Sequence, residues 1–510
     1  MPPPNQKLAD ALSELRALQM AGRRAIRSSE LTRAVRERLI KNGYIEEVMK
    51  GWYIPSQPGA KGETTAWYTS FWDFCRDYLN DRFGADWCLT PEQSLVLLAG
   101  NTAVPRQLLV RATQANNQPT NLLHGTSVFE SNTRLPPEED RTVLNGLTLY
   151  NVEAALVAAS PDFFRQHPVE ARTLLSMQPN AQALLARLLS GGHTRAAGRL
   201  AGAFTNIGRA REASAIVTGM AAADHVVTET DPFTDTVGRI PYRREPSPYV
   251  QRIRLMWQTL RTAIIGAMPA PASPRLNIEA YMKQVEDTYV SDAYHSLSIE
   301  GYQVSAELIE RVRAGAWNPQ DDEVARNERN ALAARGYWQA FQAVKESVRR
   351  VLAGENPGDV ANDDHGIWYQ QLFQPSVAAG LIKPESLAGY RTGPVYIRGS
   401  MHVPLKSEAV PDAMSIFFEL LAEEAEPAVR AVLGHFVYVY IHPYLDGNGR
   451  TGRFLMNVML AAAGYPWLVI PVQARADYMA ALEVASVGQD IEPFSNFLAR
   501  YMSAPTPPAG

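Results

Sequence analysis

The sequence predicts a mainly α-helical, multidomain protein, and three observations support this fold class. The chain has 510 residues, enough for about two to four domains of ordinary size. Apolar residues recur at helical spacing through most of the second half, whereas strand-like runs are short and lie mainly in the first half. The composition is 46% hydrophobic and 20% charged, which excludes a wholly disordered or fibrous chain.

Residues 1–60 are predicted to form a winged helix-turn-helix domain, because three helical segments precede a short hairpin. The expected elements are a leucine-spaced helix over 8–18, a short helix capped by Ser28 or Ser29, a helix over Arg33–Lys41, and a hairpin over 44–54 with a Lys50-Gly51 turn.

This domain is basic, with 10 Lys/Arg against 6 Asp/Glu, while the rest of the chain has a net charge of −8. The third helix carries Arg33, Arg36, Arg38 and Lys41, which are therefore candidates for binding DNA phosphates. The alternative is an ordinary solvated helix face. The region resembles the N-terminal winged helix of abortive-infection-type antitoxins (AbiEi-like regulators), a likeness that implies DNA binding.

The remaining chain divides into a middle domain, a linker and a larger helical region. Residues 61–230 mix strand-like runs with Ala/Leu-rich helices, which predicts an α+β domain, and parts of them look like the C-terminal part of the same antitoxins. Residues 231–249 are polar and Pro-containing and predict a linker, 250–503 predict an all-helical domain, and the Pro-rich residues 504–510 predict a disordered tail.

The most informative segment is H-P-Y-L-D-G-N-G-R-T-G-R, residues 442–453. A Gly-rich turn leading into a helix presents free backbone N–H groups and the positive end of the helix dipole, so it favours anions. Arg450 and Arg453 are three apart on that helix and could hold successive phosphates. Asp446 offers an oxygen ligand suited to Mg2+, and His442 can accept a proton near neutral pH. Together these groups favour phosphoryl-type transfer.

The segment resembles the Fic-domain signature HPFx[D/E]GNGRxxR, with Tyr444 in place of Phe as a predicted core aromatic. The resemblance covers about 250–503. It implies transfer of AMP from ATP to a Ser, Thr or Tyr hydroxyl of a target protein, with Mg2+. The roles it implies are His442 as the base, Asp446 as the metal ligand, and a nucleotide site formed by Gly447, Asn448, Gly449, Arg450, Arg453 and Tyr478.

The resemblance also implies autoinhibition. Ser296-Leu297-Ser298-Ile299-Glu300-Gly301 is similar to the family's inhibitory motif [S/T]xxxE[G/N]. Ser296 and Glu300 share one helical face, and Gly301 fits a helix end. The family pattern pairs Glu300 with Arg453 and so hinders the seating of the terminal phosphate.

Upstream of the motif, a hairpin with strands over Val395–Arg398 and Met401–Pro404 is predicted. It looks like the family's flap, and Val395, Tyr396 and Ile397 would dock a target segment by adding a strand. Downstream, Met479 stands where the family has a second tyrosine beside Tyr478, which makes the adenine preference less secure than the phosphate chemistry.

The leading hypothesis is therefore an autoinhibited protein adenylyltransferase, cytoplasmic because neither a signal peptide nor a membrane span is evident. Self-association is a further expectation. Two alternatives stay open: removal of AMP from a modified protein through Glu300, and a DNA-binding, antitoxin-like regulator with secondary Fic activity. Cys75 and Cys88 are expected to be buried and unpaired.

Overall fold

The computed structural model describes residues 4–21, 23–58, 64–235, 247–269, 277–316, 329–503 and 506–509. The chain forms two compact units. The first contains Met1–Pro248 and Tyr396–Val403, and the second contains Tyr249–Val395 and Pro404–Gly510. Most of the predicted linker (236–246) and part of the predicted tail (504, 505 and 510) lie outside the described residues.

The first unit begins with two helices and a three-stranded sheet. Its elements are α1 (Pro4–Met20), β1 (Ile26–Arg27), α2 (Arg33–Lys41), β2 (Ile45–Met49) and β3 (Trp52–Pro55), with antiparallel sheet order β1-β3-β2. The predicted α2 and hairpin are confirmed.

The short helix expected after Ser28 is wrong. The backbone N–H of Ser28 donates to the carbonyl of Gly51 (2.9 Å), which continues the pairing between β1 and β3 instead of starting a helix. Helix α2 is capped by Thr32, whose hydroxyl accepts from the N–H of Val35. Because only two helices are present among residues 4–21 and 23–58, the winged helix-turn-helix assignment stays a prediction.

The middle of the first unit combines helices with a mixed sheet, in agreement with the expected α+β composition. The sheet has order β4-β5-β7-β6 with β5 and β7 parallel, and β8 and β9 form a separate hairpin whose Asn145-Gly146 turn has positive φ at both residues. The elements are α3 (Thr65–Phe83), β4 (Trp87–Leu89), α4 (Pro91–Leu98), β5 (Gln107–Ala112), β6 (Pro119–Asn121), β7 (Ser127–Asn132), β8 (Arg141–Leu144), β9 (Leu147–Tyr150), α5 (Val152–Ala158), α6 (Pro161–Gln166), α7 (Pro168–Met177), α8 (Gln182–Gly191), α9 (Thr194–Asn206) and α10 (Ala210–Ala221).

One hydrophobic core crosses the predicted boundary between residues 60 and 61, although residues 4–58 also have a separate buried cluster of their own. The ring of Trp52, on β3, packs edge-on against Phe74 (5.8 Å between centroids) and Tyr78 (6.0 Å) of α3. Ile54 and Trp67 belong to the same buried cluster. One side of the hairpin therefore packs in the core of the middle region, whereas Ile45 and Tyr53 belong to the separate cluster. An apolar strand in a short hairpin gives no sequence signal of the partner that covers it. Cys75 and Cys88 are buried and free, as expected.

The second unit contains helices joined by loops, and no strand occurs among its described residues, which agrees with the all-helical domain expected over 250–503. Its helices are α11 (Pro248–Ile265), α12 (Ile278–Ile299), α13 (Ala306–Arg313), α14 (Arg329–Leu352), α15 (Pro357–Ala378), α16 (Val410–Glu423), α17 (Pro427–Ile441), α18 (Asn448–Ala462), α19 (Arg475–Gly488) and α20 (Glu492–Met502). Across the described ranges, every helix is too short or too polar to span a bilayer.

The predicted flap hairpin is wrong as a strand pair. Between residues 391 and 405 the backbone forms a turn, with Ser400 N–H donating to Ile397 O (3.1 Å), but no strand ladder. The carbonyl of Met401 instead accepts from Val104 N–H (2.8 Å), and the carbonyl of Val403 accepts from the Thr102 hydroxyl (2.7 Å). Segment 396–403 is thus held by the first unit, and the prolines at either end of the expected hairpin remove ladder donors.

The shared core of the first unit leads to a testable expectation. Trp52→Ala should destabilise this unit by about 3 kcal/mol, because it removes a large buried ring from a packed aromatic cluster. Hydrogen exchange should then accelerate in α3 as well as in residues 23–58. Met20→Ala, at an 81% exposed position, is the control that should change little. Faster exchange confined to residues 4–58 would mean that these residues form an independent domain.

Candidate functional site

The loop between α17 and α18 is held in one conformation by its own side chains. Helix α17 ends at His442, which adopts a left-handed backbone (φ 56°), and Pro443 follows. The Asn448 amide accepts from Tyr444 N–H (2.9 Å) and donates to Tyr444 O (2.8 Å). Gly447 also has positive φ (79°), and a Cβ there would lie 2.8 Å from the ring of Phe373. The side chain of Asn448 therefore shapes the loop, which leaves only its backbone for a ligand.

The start of α18 presents donors that lack acceptors. Arg450 and Arg453 are 1% and 4% exposed, yet Arg450 Nε and Arg453 Nη1 have no hydrogen-bond partner within the part of the chain that the structure describes. Buried guanidinium groups left partly unsatisfied at a helix N-terminus fit an anionic ligand. The structure brings together the predicted residues 446–450 and Arg453 at this point.

Asp446 is the exposed acidic group at this site. Its side chain is 62% exposed, and its carboxylate accepts from Gly447 N–H and, at 3.4 Å, from Arg450 Nη2. The described residues contain no cluster of three His, Cys, Asp or Glu side chains that could hold a metal alone. One exposed carboxylate fits Mg2+ only where phosphate oxygens supply further ligands, which is the usual arrangement for that ion.

His442 is neutral at physiological pH. Burial lowers the pKa of His442 to about 4. Its Nδ1 lies 3.1 Å from the carbonyl of Val439, so Nδ1 must donate and Nε2 keeps its lone pair. The imidazole is thereby fixed in the tautomer that accepts a proton at Nε2.

Arg391 is a residue of the site that the sequence did not single out. It is 4% exposed and donates from Nε to His442 O (2.7 Å) and from Nη1 to Gly393 O (3.1 Å), while its own N–H donates to Pro443 O (2.9 Å). Burial lowers the pKa of Arg391 to about 10. A buried cation bonded to backbone carbonyls gives no local sequence signal, although here it holds the backbone of the predicted base.

The predicted inhibitory residues do contact Arg453. Arg453 Nε donates to the Ser296 hydroxyl (2.9 Å), and Nη2 donates to Ser296 O (3.0 Å) and to Glu300 Oε1 (2.8 Å). Gly301 has φ 85° directly after the end of α12, as expected of a helix C-terminus.

The Glu300 carboxylate lies on the first turn of α18. A Cβ built on Gly449 would be 2.3 Å from Glu300 Oε1, so the carboxylate covers the backbone that was predicted to cradle phosphates. Burial opposes ionisation of Glu300, but the charges of Arg453 and Arg450 outweigh it and hold the pKa of this carboxyl below its usual value. An ionised side chain of the protein therefore lies against the first turn of α18, where an anion is expected to bind.

The predictions made for two tyrosines have different outcomes. Tyr444 is 3% exposed and stacks on Tyr369 (3.7 Å between centroids), which confirms it as a core residue. Tyr478 is 1% exposed, and its hydroxyl lies 2.6 Å from His435 Nε2, in an aromatic cluster with Phe494. A base-binding role for Tyr478 therefore stays a prediction. His295 Nε2 lies within hydrogen-bonding distance of Pro508 O (3.0 Å).

Residues 365–460 match the sequence profile described as the Fic/DOC family. This match spans α15 to α18 and includes the whole loop that carries His442 and Asp446.

The curated relatives bear adenylyltransferase names. The chain is 26% identical over 230 residues to "Protein adenylyltransferase fic-1" of Caenorhabditis elegans, covering 44% of this chain and 42% of that one. It is 42% identical over 125 residues to "Protein adenylyltransferase Fic" of Nematostella vectensis, covering 24% and 29%. A solved structure, "Fic-1 (aa134 - 508) from C. elegans", aligns with TM-score 0.34 and 18% identity over 69% of this chain and 88% of that one. The chain spans less than half the length of either curated relative.

The depressed basicity of His442 can be measured directly. An NMR titration should place the pKa of this imidazole near 4, against about 6.5 for an unperturbed histidine, with the resonance assigned by its loss in His442→Gln. Between these values the unfolded chain binds more protons at His442 than the folded one. Its contribution to stability is therefore complete above about pH 6.5 and is lost as the pH falls towards 4. A value at or above 6.5 would contradict the burial argument.

Proposed function

We propose that the second unit is a protein adenylyltransferase that transfers AMP from ATP to a hydroxyl side chain of a target protein, and that Glu300 holds it in an inhibited state. The observation that carries the proposal is the pair of buried arginines at the start of α18, with donors left for an anion, next to a neutral imidazole. The Fic/DOC match over 365–460 and the names of the curated relatives support the same reaction class.

The proposed step is a displacement at the α-phosphorus of ATP. The target hydroxyl oxygen forms a bond to this phosphorus while the bond to the bridging oxygen breaks and pyrophosphate leaves. His442 Nε2 accepts the hydroxyl proton. Negative phosphates beside the imidazole favour its charged form, so nucleotide binding raises the pKa of His442 and makes it a stronger base than in the free protein.

The phosphates would lie on the backbone of 447–449, with Arg450 and Arg453 neutralising their charge. Mg2+, held by Asp446 together with phosphate oxygens, would supply charge stabilisation at the leaving pyrophosphate. The side chain of Asn448 keeps the loop open for these contacts through its two bonds to Tyr444.

Inhibition follows from competition for one position. A phosphate oxygen and the Glu300 carboxylate are both anions, and both require Arg453 Nη2 and the space above Gly449. Because the Glu300–Arg453 pair is charge-assisted and largely buried, it opposes seating of the terminal phosphate until the carboxylate moves.

Hydrolytic removal of AMP from a modified protein is the second candidate. It is favoured by the ionised state of Glu300 close to the loop of His442, since an ionised carboxylate can orient water towards an AMP–protein bond. Water would then supply the oxygen that binds phosphorus, and the target hydroxyl would leave with a proton.

Incubation with ATP labelled at the α-phosphate tests the proposal. Glu300→Gly should raise label transfer to protein by at least about tenfold, because it removes the competing anion. His442→Ala in the same background should abolish transfer. Glu355→Gly is the matched control, because it removes a 49% exposed loop carboxylate that pairs with Arg350.

Equal labelling by the parent chain, Glu300→Gly and Glu300→Gly/His442→Ala would refute the proposal. Incubation of the parent chain with a target that already carries AMP separates the two directions. Release of AMP that is lost in Glu300→Gly identifies the hydrolytic reaction.

DNA binding by residues 1–60 is proposed separately, on the net charge of +4 and the basic face of α2. Within the domain, Arg36 donates to Ser28 O and Arg38 donates to Lys7 O, which commits both side chains in part to the fold. Arg33 is 84% exposed and pairs with Glu37.

If the basic face contacts DNA phosphates, Arg33→Ala/Lys41→Ala should weaken binding to DNA of any sequence. The slope of log affinity against log salt should fall by about one for each lost phosphate contact. Arg349→Ala, on α14, is the control. The absence of a gel shift at low salt for the parent chain would remove the hypothesis.

A further inference from the structure

The residue after the inhibitory motif, Tyr302, contacts the other motif arginine. The guanidinium of Arg450 lies close to two rings, 5.2 Å from the centroid of Tyr302 and 5.0 Å from that of Phe373. A second cation, Arg329 at the start of α14, lies 5.1 Å from the centroid of Tyr302. Four side chains thus alternate as ring, cation, ring and cation.

The end of α12 directs Tyr302 to this place. Tyr302 N–H donates to Leu297 O (3.1 Å) and Gly301 N–H donates to Ser298 O (3.0 Å), which together form a Schellman turn. Gly301 supplies the positive φ that this turn requires, and a Cβ there would meet nothing within 4 Å. The turn therefore places the Glu300 carboxylate on Arg453 and the Tyr302 ring on Arg450 at the same time.

The Glu300–Arg453 and Tyr302–Arg450 contacts differ in whether they use an N–H donor of the arginine. Glu300 accepts a hydrogen bond from Arg453 and so uses a donor that a phosphate would need. A ring over the face of a guanidinium uses no N–H donor, because those lie in the plane. Arg450 Nε, buried and without an acceptor among the described residues, is still available for an anion.

Arg450 depends on this stack for its position. It is 1% exposed, and its hydrogen bond to the exposed Asp446 is long (3.4 Å). The rings of Tyr302 and Phe373 are therefore the close contacts that restrict where this guanidinium can lie. Gln303 N–H, which donates to Asn330 Oδ1 (3.1 Å), ties the segment after Tyr302 to α14.

We propose that Tyr302 is a positioning residue that holds Arg450 for the phosphates of the nucleotide. It follows that inhibition is relieved by movement of the Glu300 carboxylate while the end of α12 stays in place. This inference rests on the proposed adenylyltransferase function and adds that the inhibitory segment is also needed for activity. Undocking the whole segment would free Arg453 but lose the position of Arg450.

Kinetics in the Glu300→Gly background, with ATP and Mg2+, test the proposal. Adding Tyr302→Ala should raise KM for ATP by about tenfold and change kcat less, because a cation–π contact to a bound guanidinium is lost. Tyr302→Phe should restore KM. Tyr302→Leu, which keeps apolar volume but has no ring, should behave like Tyr302→Ala. Tyr294→Ala on the same helix is the control, since its ring packs on His295.

Three outcomes would overturn the inference: an unchanged KM in Tyr302→Ala, a higher activity than Glu300→Gly alone, or a Leu variant equal to the Phe variant. The last would mean that packing volume suffices. Thermal unfolding of each variant shows whether Tyr302→Ala keeps its fold. If Tyr302→Ala unfolds, the comparison of Tyr302→Phe with Tyr302→Leu still tests whether the ring is required. Failure of Glu300→Gly itself to transfer label would instead refute the proposed function.

Discussion

The ion pair between Glu300 and Arg453 is the interaction on which the second unit's chemistry depends. It joins the end of α12 to the first turn of α18, and it satisfies part of a cationic site with an anion from the same chain. Two arginines buried at a helix N-terminus would otherwise carry a large desolvation cost with no compensating charge. The pair therefore makes the empty state stable and, in the proposed function, inactive, so that stability and inhibition have one physical source.

The loop beside this pair shows how few side chains are free for chemistry. Asn448 is engaged with the backbone of Tyr444, and Arg391 with the carbonyls of His442 and Gly393. These contacts fix the loop before any ligand arrives, which reduces the reorganisation needed when charge develops at a transferring phosphate. The residues that act on the ligand and the residues that shape the site thus lie next to one another in the same short segment.

The sequence predicted the parts of the site that follow from local spacing. The Gly-rich turn, the two arginines three apart, and the Ser296–Glu300 face of one helix all lie where expected, because helix geometry determines such relations over a few residues. Of the contacts between residues far apart in the chain, the Glu300–Arg453 pair was expected only from the family resemblance, and others were missed. Arg391 reaches a backbone carbonyl 51 residues away, and Tyr302 reaches Arg450, and neither contact leaves a pattern in the residues around it.

Predictions of the fold also failed where an element depends on residues far away in the chain. Helix α2 and its hairpin were predicted from local spacing and a Gly turn, whereas the short helix expected after Ser28 is replaced by a turn after β1, and the pairing of β1 with β3 depends on residues 25 or more positions away. Helix α15 begins at a good N-terminus, Asn356 and Pro357, but its interior lacks a clear apolar stripe, so apolar spacing alone does not define it. The flap hairpin expected over 395–404 does not form, because Thr102 and Val104 donate hydrogen bonds to the carbonyls of Val403 and Met401.

Segment 396–403 also affects how the protein can be divided into fragments. Because 396–403 belongs to the first unit while the residues on both sides belong to the second, no single cut in the chain separates the two units. A fragment that starts near residue 249 would keep Met401 and Val403 but lose the apolar cluster against which they pack. Such a fragment would expose apolar surface and be prone to aggregate. Low solubility of an isolated fragment would then result from the position at which the chain was divided. Co-expression of the two fragments would be the better route to an active preparation.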